Sequence, residues 1–234
     1  MPAFPASPAS LNVIALIGAE STGKTVLAQA LAERLARETG LSVAWVPEVL
    51  REWCEREGRT PRAEEQLGIA QAQQRRLERA AAEHDLVVAD TTPLMTAVYS
   101  ELLFDDRSLH AMALDFQRRC AATLLTALDL PWVADGHQRD GPQVRAPVDR
   151  LVRGLLLAHG LSWSVVRGEG EARVDCAVDA LSPWLRTLPT PRAGLFTRLR
   201  EREAAQPAWR WACEDCDDPQ CEHALRASAG RGAP

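Results

Sequence analysis

The sequence predicts an α/β domain: a five-stranded parallel sheet flanked by helices. Three observations carry this. Short apolar runs rich in β-branched residues alternate with segments of helical periodicity. The first strand-to-helix junction reads Gly18-Ala-Glu-Ser-Thr-Gly-Lys-Thr25, which fits G-x-x-x-x-G-K-[ST]. Gly18, Glu48, Asp90 and Asp135 each fall at the carboxyl end of a predicted strand, where an open α/β sheet binds its ligands.

In chain order, Met1 to Ser10 is a Pro/Ala/Ser-rich loose tail with no charged region before an apolar core, so it does not read as a signal peptide. Asn12–Ile17 is the first buried strand, and Lys24–Glu38 is a helix stopped at Gly40. Ser42–Val46 is the second strand. A Glu/Arg-rich stretch leads into a helix from about Arg62 to Glu83. Asp85–Asp90 is the third strand, followed by helices over Pro93–Leu103 and Leu109–Leu128. Leu130–Ala134 reads as the fourth strand and Asp135–Pro147 as a Gly/Pro/Arg-rich loop. Val148–His159 is helical, Ser162–Val166 is the fifth strand, and Glu171–Leu185 is the closing helix. Beyond Leu188 the periodicity weakens, which places the domain at 11–188 and an extension at 189–234.

The bulk composition narrows the function classes. Hydrophobic residues make up 46% of the chain and charged residues 25%, as in ordinary globular proteins. A net charge of -5 disfavours a broad basic face for nucleic acid. No apolar run approaches the roughly 18 residues a bilayer requires, so the expectation is a cytoplasmic enzyme. Self-association into a homo-oligomer is left open. Basic residues are almost all arginine, and the one lysine is Lys24, inside the glycine-rich motif. Cys54, Cys120 and Cys176 are scattered and read as core or surface thiols in a reducing compartment.

The motif is a phosphate loop. Its glycines let the backbone turn several N–H groups onto phosphate oxygens, and the following helix adds its positive end. The candidate ATP-binding set is Gly18, Glu20, Ser21, Thr22, Gly23, Lys24, Thr25 and Val26. Lys24 reaches the β/γ-phosphates, and Thr25 places its hydroxyl on Mg²⁺. Asp90 is a candidate for the Mg²⁺ shell or for the base that takes an attacking hydroxyl's proton. A helix N-cap is its alternative role, which Thr91 or Thr92 can also fill. Glu48, Arg51 and Glu52 form a candidate acceptor cluster, although acidic residues also suit a helix start. Asp135 and Arg139 lie in a Gly/Arg-rich loop suited to closing over a nucleotide.

Taken together, GAESTGKT, EVLRE, VVADTTPLMT and WVADG resemble the nicotinamide riboside kinase domain of the NadR type, over roughly Leu11 to Leu185. The same loop form occurs in related AAA family ATPases. The resemblance implies a nucleoside-kinase-like phosphate-loop fold and ATP-dependent phosphorylation of the ribose 5′-hydroxyl of nicotinamide riboside. It assigns Lys24 and Thr25 to ATP·Mg²⁺, Glu48, Arg51 and Glu52 to substrate or metal water, Asp90 to base or magnesium shell, and Arg139 to the lid. The lid departs from the family's D-G-x-R, because two residues separate Gly136 from Arg139. The regulatory helix-turn-helix and adenylyltransferase domains of bifunctional members are not expected here. The alternatives are another nucleoside or metabolite as acceptor, or a nucleotide-dependent switch that recruits a partner.

The extension carries Cys213, Cys216, Cys221 and His223 as C-x₂-C-x₄-C-x-H. Three thiolates and an imidazole make a tetrahedral set for structural Zn²⁺, in a knuckle over 211–223. Free thiols, or a redox pair at Cys213 and Cys216, are the alternatives.

Overall fold

The computed structural model describes residues 10–133 and 141–188. By its own contacts the chain divides into two units, Met1–Leu195 and Phe196–Pro234. The fold below belongs to the first.

The elements run β1 (Leu11–Ile17), α1 (Lys24–Thr39), β2 (Val43–Val46), α2 (Val49–Glu57), α3 (Ala63–Glu83), β3 (Leu86–Asp90), α4 (Pro93–Phe104), α5 (His110–Arg119), β4 (Cys120–Thr126), α6 (Arg145–Ala158), β5 (Ser164–Val166) and α7 (Gly170–Leu185). One 3₁₀ turn, Pro142–Val144, precedes α6. The five strands form one parallel sheet in the order β2-β3-β1-β4-β5. β1 is central, with Leu16 opposite Asp90 of β3 and Ile17 opposite Leu125 of β4. Its residues Val13 to Ile17 are fully buried, as strands covered on both faces must be.

The units β1–α1–β2 and β4–α6–β5 run in opposite directions from the middle of the sheet. Right-handed crossovers therefore put α1 and α6 on opposite faces. One core cluster joins Ile17 and Leu125 to Leu94, Val98, Val148 and Val152 of α4 and α6. Another joins Val13, Val87 and Ala89 to Leu77 of α3 and Phe116 of α5. The direction of connection reverses about β1, so the crevice opens at its carboxyl end, beside the phosphate loop.

Two sequence expectations are corrected. The helix expected over Leu109–Leu128 ends at Arg119, and its second half is the fourth strand, Cys120–Thr126. The strand expected at Leu130–Ala134 is absent from Leu130 to Val133, and Ala134 lies outside the described residues. The run Ala-Thr-Leu-Leu-Thr-Ala-Leu satisfies helical spacing as well as a buried strand does. What decides is that β1 has an open hydrogen-bonding edge on that side, which β4 pairs. In addition, Val49–Glu57 is a helix of its own inside the Glu/Arg-rich stretch.

Among the described residues no helix is long and apolar enough to cross a membrane.

Candidate active site

The loop after β1 is shaped by its neighbours as much as by its own residues. Gly18 has φ of 144°, and a Cβ there would stand 2.2 Å from Thr126 Oγ1 on β4. Only glycine allows this approach. Thr22 is fully buried; its hydroxyl bonds Ala19 O at 2.8 Å and Thr126 Oγ1 at 2.7 Å. Ser21, with φ of 54°, donates to Val133 O and accepts from Val133 N at 2.8 Å. Gly23, with φ of 72°, precedes the first turn of α1, and Leu27 N bonds its carbonyl at 3.0 Å. Lys24 Nζ lies 2.7 Å from Ala19 O, curled inside its own loop.

Arg173 of α7 is a brace that sequence reasoning missed. It is 3% exposed. It donates to Thr22 O at 3.0 Å, to Asp129 Oδ1 at 2.9 Å and to Gly168 O. Asp129 also accepts from Gly168 N at 2.7 Å. Asp129 is held below the usual carboxylate range: burial works against this, and the Arg173 and Gly168 hydrogen bonds outweigh it. One guanidinium thus ties the phosphate loop to the segments after β4 and β5. No motif marks it, since in sequence it is one more arginine on an amphipathic helix.

On the other side of β1 the charges behave differently. Asp90, at the end of β3, is 2% exposed. Thr91, with φ of 70°, bends the chain away directly after it, and Thr92 caps α4 by accepting from Leu94 N. Asp90 is therefore not the helix cap. Its carboxylate bonds the Thr25 hydroxyl and feels Lys24 and Arg51, yet burial dominates and raises its pKa. Its Oδ1 is buried with no hydrogen-bond partner. Glu48, the N-cap of α2, is also raised, chiefly by burial and further by Asp90 and Glu20, against Lys24 and Arg51. The backbone beside it is anchored where Val49 N donates to Gln73 Oε1 at 2.7 Å.

These groups open onto one cleft of about 720 Å³. The phosphate loop from Glu20 to Val26 forms its floor. Leu130, Pro131, Val133 and Glu169 line it from the β4/β5 side, and Glu48, Arg51, Cys54, Gln66 and Tyr99 from the β2/β3 side. Burial pushes the Cys54 thiol up to about 11, so it stays neutral at ordinary pH. The structure thus brings together Glu20, Ser21, Thr22, Gly23, Lys24, Thr25, Val26, Glu48 and Arg51, with Asp90 beside them. It does not bring Glu52 there: this side chain turns towards α3 and pairs with Arg76 at 2.7 Å. Asp135, Arg139, Cys213, Cys216, Cys221 and His223 lie outside the described residues. Among the described residues there is no cluster of His, Cys, Asp and Glu able to hold a metal by itself.

The donors fit a nucleotide with its divalent cation. Backbone N–H groups at a helix start favour phosphate. An orphaned carboxylate oxygen beside a threonine hydroxyl suits Mg²⁺, which shares its shell with waters and phosphate oxygens and needs no all-protein cage.

Sheet order, phosphate loop and cleft define a P-loop NTPase with the fold of nucleoside and nucleotide kinases. The chain belongs to the family described as AAA domain (AAA_28), whose model matches residues 13–173. No curated protein matches it. Among solved structures it is similar to a NadR protein in complex with NR, at 18% identity and a TM-score of 0.57, covering 79% of this chain and 54% of that one. A NadR protein in complex with NAD and AMP-PNP gives 20% identity and a TM-score of 0.56, covering 75% and 49%. Thymidylate kinase from Ehrlichia chaffeensis gives 16% and 0.50, covering 85% and 100%. The chain spans about half the length of the NadR structures it matches.

Proposed function

We propose that this chain is an ATP-dependent kinase for a small nucleoside-like molecule, with the 5′-hydroxyl of nicotinamide riboside as the leading acceptor. The observation that carries the reading is a pair of carboxylates with raised pKa, the buried Asp90 and the half-buried Glu48, set beside Lys24 and Arg51 at the edge of a phosphate loop. Buried acids with raised pKa next to a cation are unfavourable in a resting fold and suit a reacting site. The NadR likeness supports the choice of acceptor.

In this reading the loop N–H groups hold the triphosphate, and Lys24 neutralises charge that grows on the transferring oxygens. ATP with Mg²⁺ supplies the phosphoryl group. Thr25 and Asp90 hold the cation's side of the site. Glu48 takes the proton of the acceptor hydroxyl, and Arg51 keeps Glu48 and the acceptor in place. Asp135 and Arg139 complete the site as a lid that ends before the 3₁₀ turn at Pro142–Val144. The kinase domain is 11–188 and works in the cytoplasm. Cys213, Cys216, Cys221 and His223 bind structural zinc in the extension, to be checked by metal analysis of protein never exposed to chelator.

The test is ATP turnover with and without nicotinamide riboside and a nucleoside panel, following the mononucleotide product. Acceptor-dependent ADP release with formation of nicotinamide mononucleotide supports the reading. Hydrolysis indifferent to every acceptor argues for a nucleotide-dependent switch instead.

A further inference from the structure

Three glutamines are fully buried among the described residues, and two of them are fully explained by the fold. Gln73 of α3 accepts from Val49 N and donates to Pro47 O. Gln117 of α5 accepts from the Thr92 hydroxyl at 2.7 Å and donates to Thr123 at 2.8 Å. Both are structural crosslinks. Gln66 sits two turns before Gln73 on the same helix and is equally buried, at 2%. Its Oε1 is shut off from solvent and has no hydrogen-bond partner. A buried amide oxygen without a donor is an exception that calls for a missing partner. Gln66 lines the cleft, on the β2/β3 side of the phosphate loop. The same cleft is also lined by the uncharged Cys54, Thr60, Pro61, Leu102 and Tyr99, the only tyrosine in the chain.

We propose that Gln66 determines acceptor specificity, its Oε1 taking a hydrogen bond from an N–H or O–H on the edge of a flat ring system that lies against Tyr99. This rests on the kinase reading: Glu48 and Arg51 meet the hydroxyl to be phosphorylated, and Gln66 reads the ring at the acceptor's other end. A site with a buried polar group discriminates strongly against a ligand that leaves that group unpaired, whereas an apolar wall does not. The acceptor class is therefore a nucleoside whose base carries a donor such as a carboxamide.

The experiment compares wild type, Gln66→Leu and Gln66→Glu on two acceptors with the same ribose, nicotinamide riboside and N-ribosylpyridinium, which lacks the carboxamide. Should wild type turn over a different nucleoside, the pair becomes that nucleoside and its analogue without the ring-edge donor. Wild type is expected to prefer the donor-bearing acceptor by about tenfold or more in kcat/KM. Gln66→Leu is expected to erase that preference with the KM for ATP unchanged and the ligand-free thermal midpoint no lower than that of wild type. Gln66→Glu, which keeps an accepting oxygen, restores part of it. A preference that survives Gln66→Leu overturns the assignment and leaves the kinase standing. Parallel loss of ATP and acceptor affinity marks Gln66 as packing and also overturns it. No phosphorylation of any acceptor by wild type overturns the kinase reading and this assignment with it.

Discussion

The two sides of the cleft are built on opposite principles. Towards β4 and β5, the polar groups that brace the loop are paired within the chain: Thr22 with Thr126, the half-buried Ser21 with Val133, and Arg173 with Thr22, Asp129 and Gly168. Only the Nε of Arg173 is left over among them. Towards β2 and β3, Asp90 Oδ1 and Gln66 Oε1 are buried without partners, and Glu48 is raised by its surroundings. A satisfied buried network rigidifies, whereas an unsatisfied one weakens the fold unless a ligand completes it. The first side holds the phosphate loop in shape; the second is complementary to molecules that come and go. The sites of the two kinds should therefore fail differently when mutated.

The largest effect is expected at the hinge between the two sides. Lys24→Ala should lower acceptor-dependent turnover by about 10²-fold or more with the thermal midpoint unchanged, since the side chain contributes charge and little packing. Wild-type turnover in that variant would remove the phosphate loop from the chemistry. On the unsatisfied side, Asp90→Asn should cost about 10²-fold in turnover, raise the Mg²⁺ requirement and leave nucleotide binding in place. An unchanged Mg²⁺ dependence would contradict its place beside the cation.

Arg173→Met probes the satisfied side. Its signature is reversed: a stability loss of about 2 kcal/mol, below the fully buried range because Asp129 is a third exposed. A roughly tenfold rise in the KM for ATP and a nearly unchanged kcat should accompany it, corresponding to about 1.4 kcal/mol of binding. Equal loss in kcat would make it more than a brace.

Glu48→Gln sharpens the contrast through pH. A raised carboxylate takes up its proton at higher pH than an ordinary glutamate, so wild-type turnover should fall on acidification above the usual carboxylate range. That limb should vanish in the variant, whose remaining activity is low. The sign for stability is opposite to that of a paired acid. The penalty is absent below the unfolded pKa and fully present above the folded one, so nucleotide-free Glu48→Gln should be more stable than wild type at neutral pH and equal to it in acid. The smallest effect belongs to Glu52→Gln. Its pair with Arg76 is about two-fifths exposed on each side. Loss of about 0.5 kcal/mol and unchanged turnover are expected, measured by thermal unfolding and the same assay.

Much of this was legible in the chain. Gly18 to Thr25 announces itself because a phosphate loop is a local object, made of consecutive residues whose backbone does the binding. Asp90 and Glu48 were legible because strand ends in a parallel sheet share one edge. Glu52 was misplaced by the same reasoning. α2 was not read as a helix, and its Glu52 pairs with Arg76 of α3 instead of entering the cleft. Gln66 and Arg173 gave no signal at all, because neither sits in a motif and both matter only through groups distant in sequence.

The sequence by itself determined the alternation of strand and helix, the phosphate loop and the presence of acids at strand ends, all of which are short-range patterns. Tertiary structure decided that Cys120–Thr126 is a strand, because β1 had an edge to pair. It decided that Gly18 must be glycine, because Thr126 stands against it. It also decided which buried polar atoms were left open, because a hydrogen bond depends on what lies within 3 Å in space and not on what lies nearby in the chain.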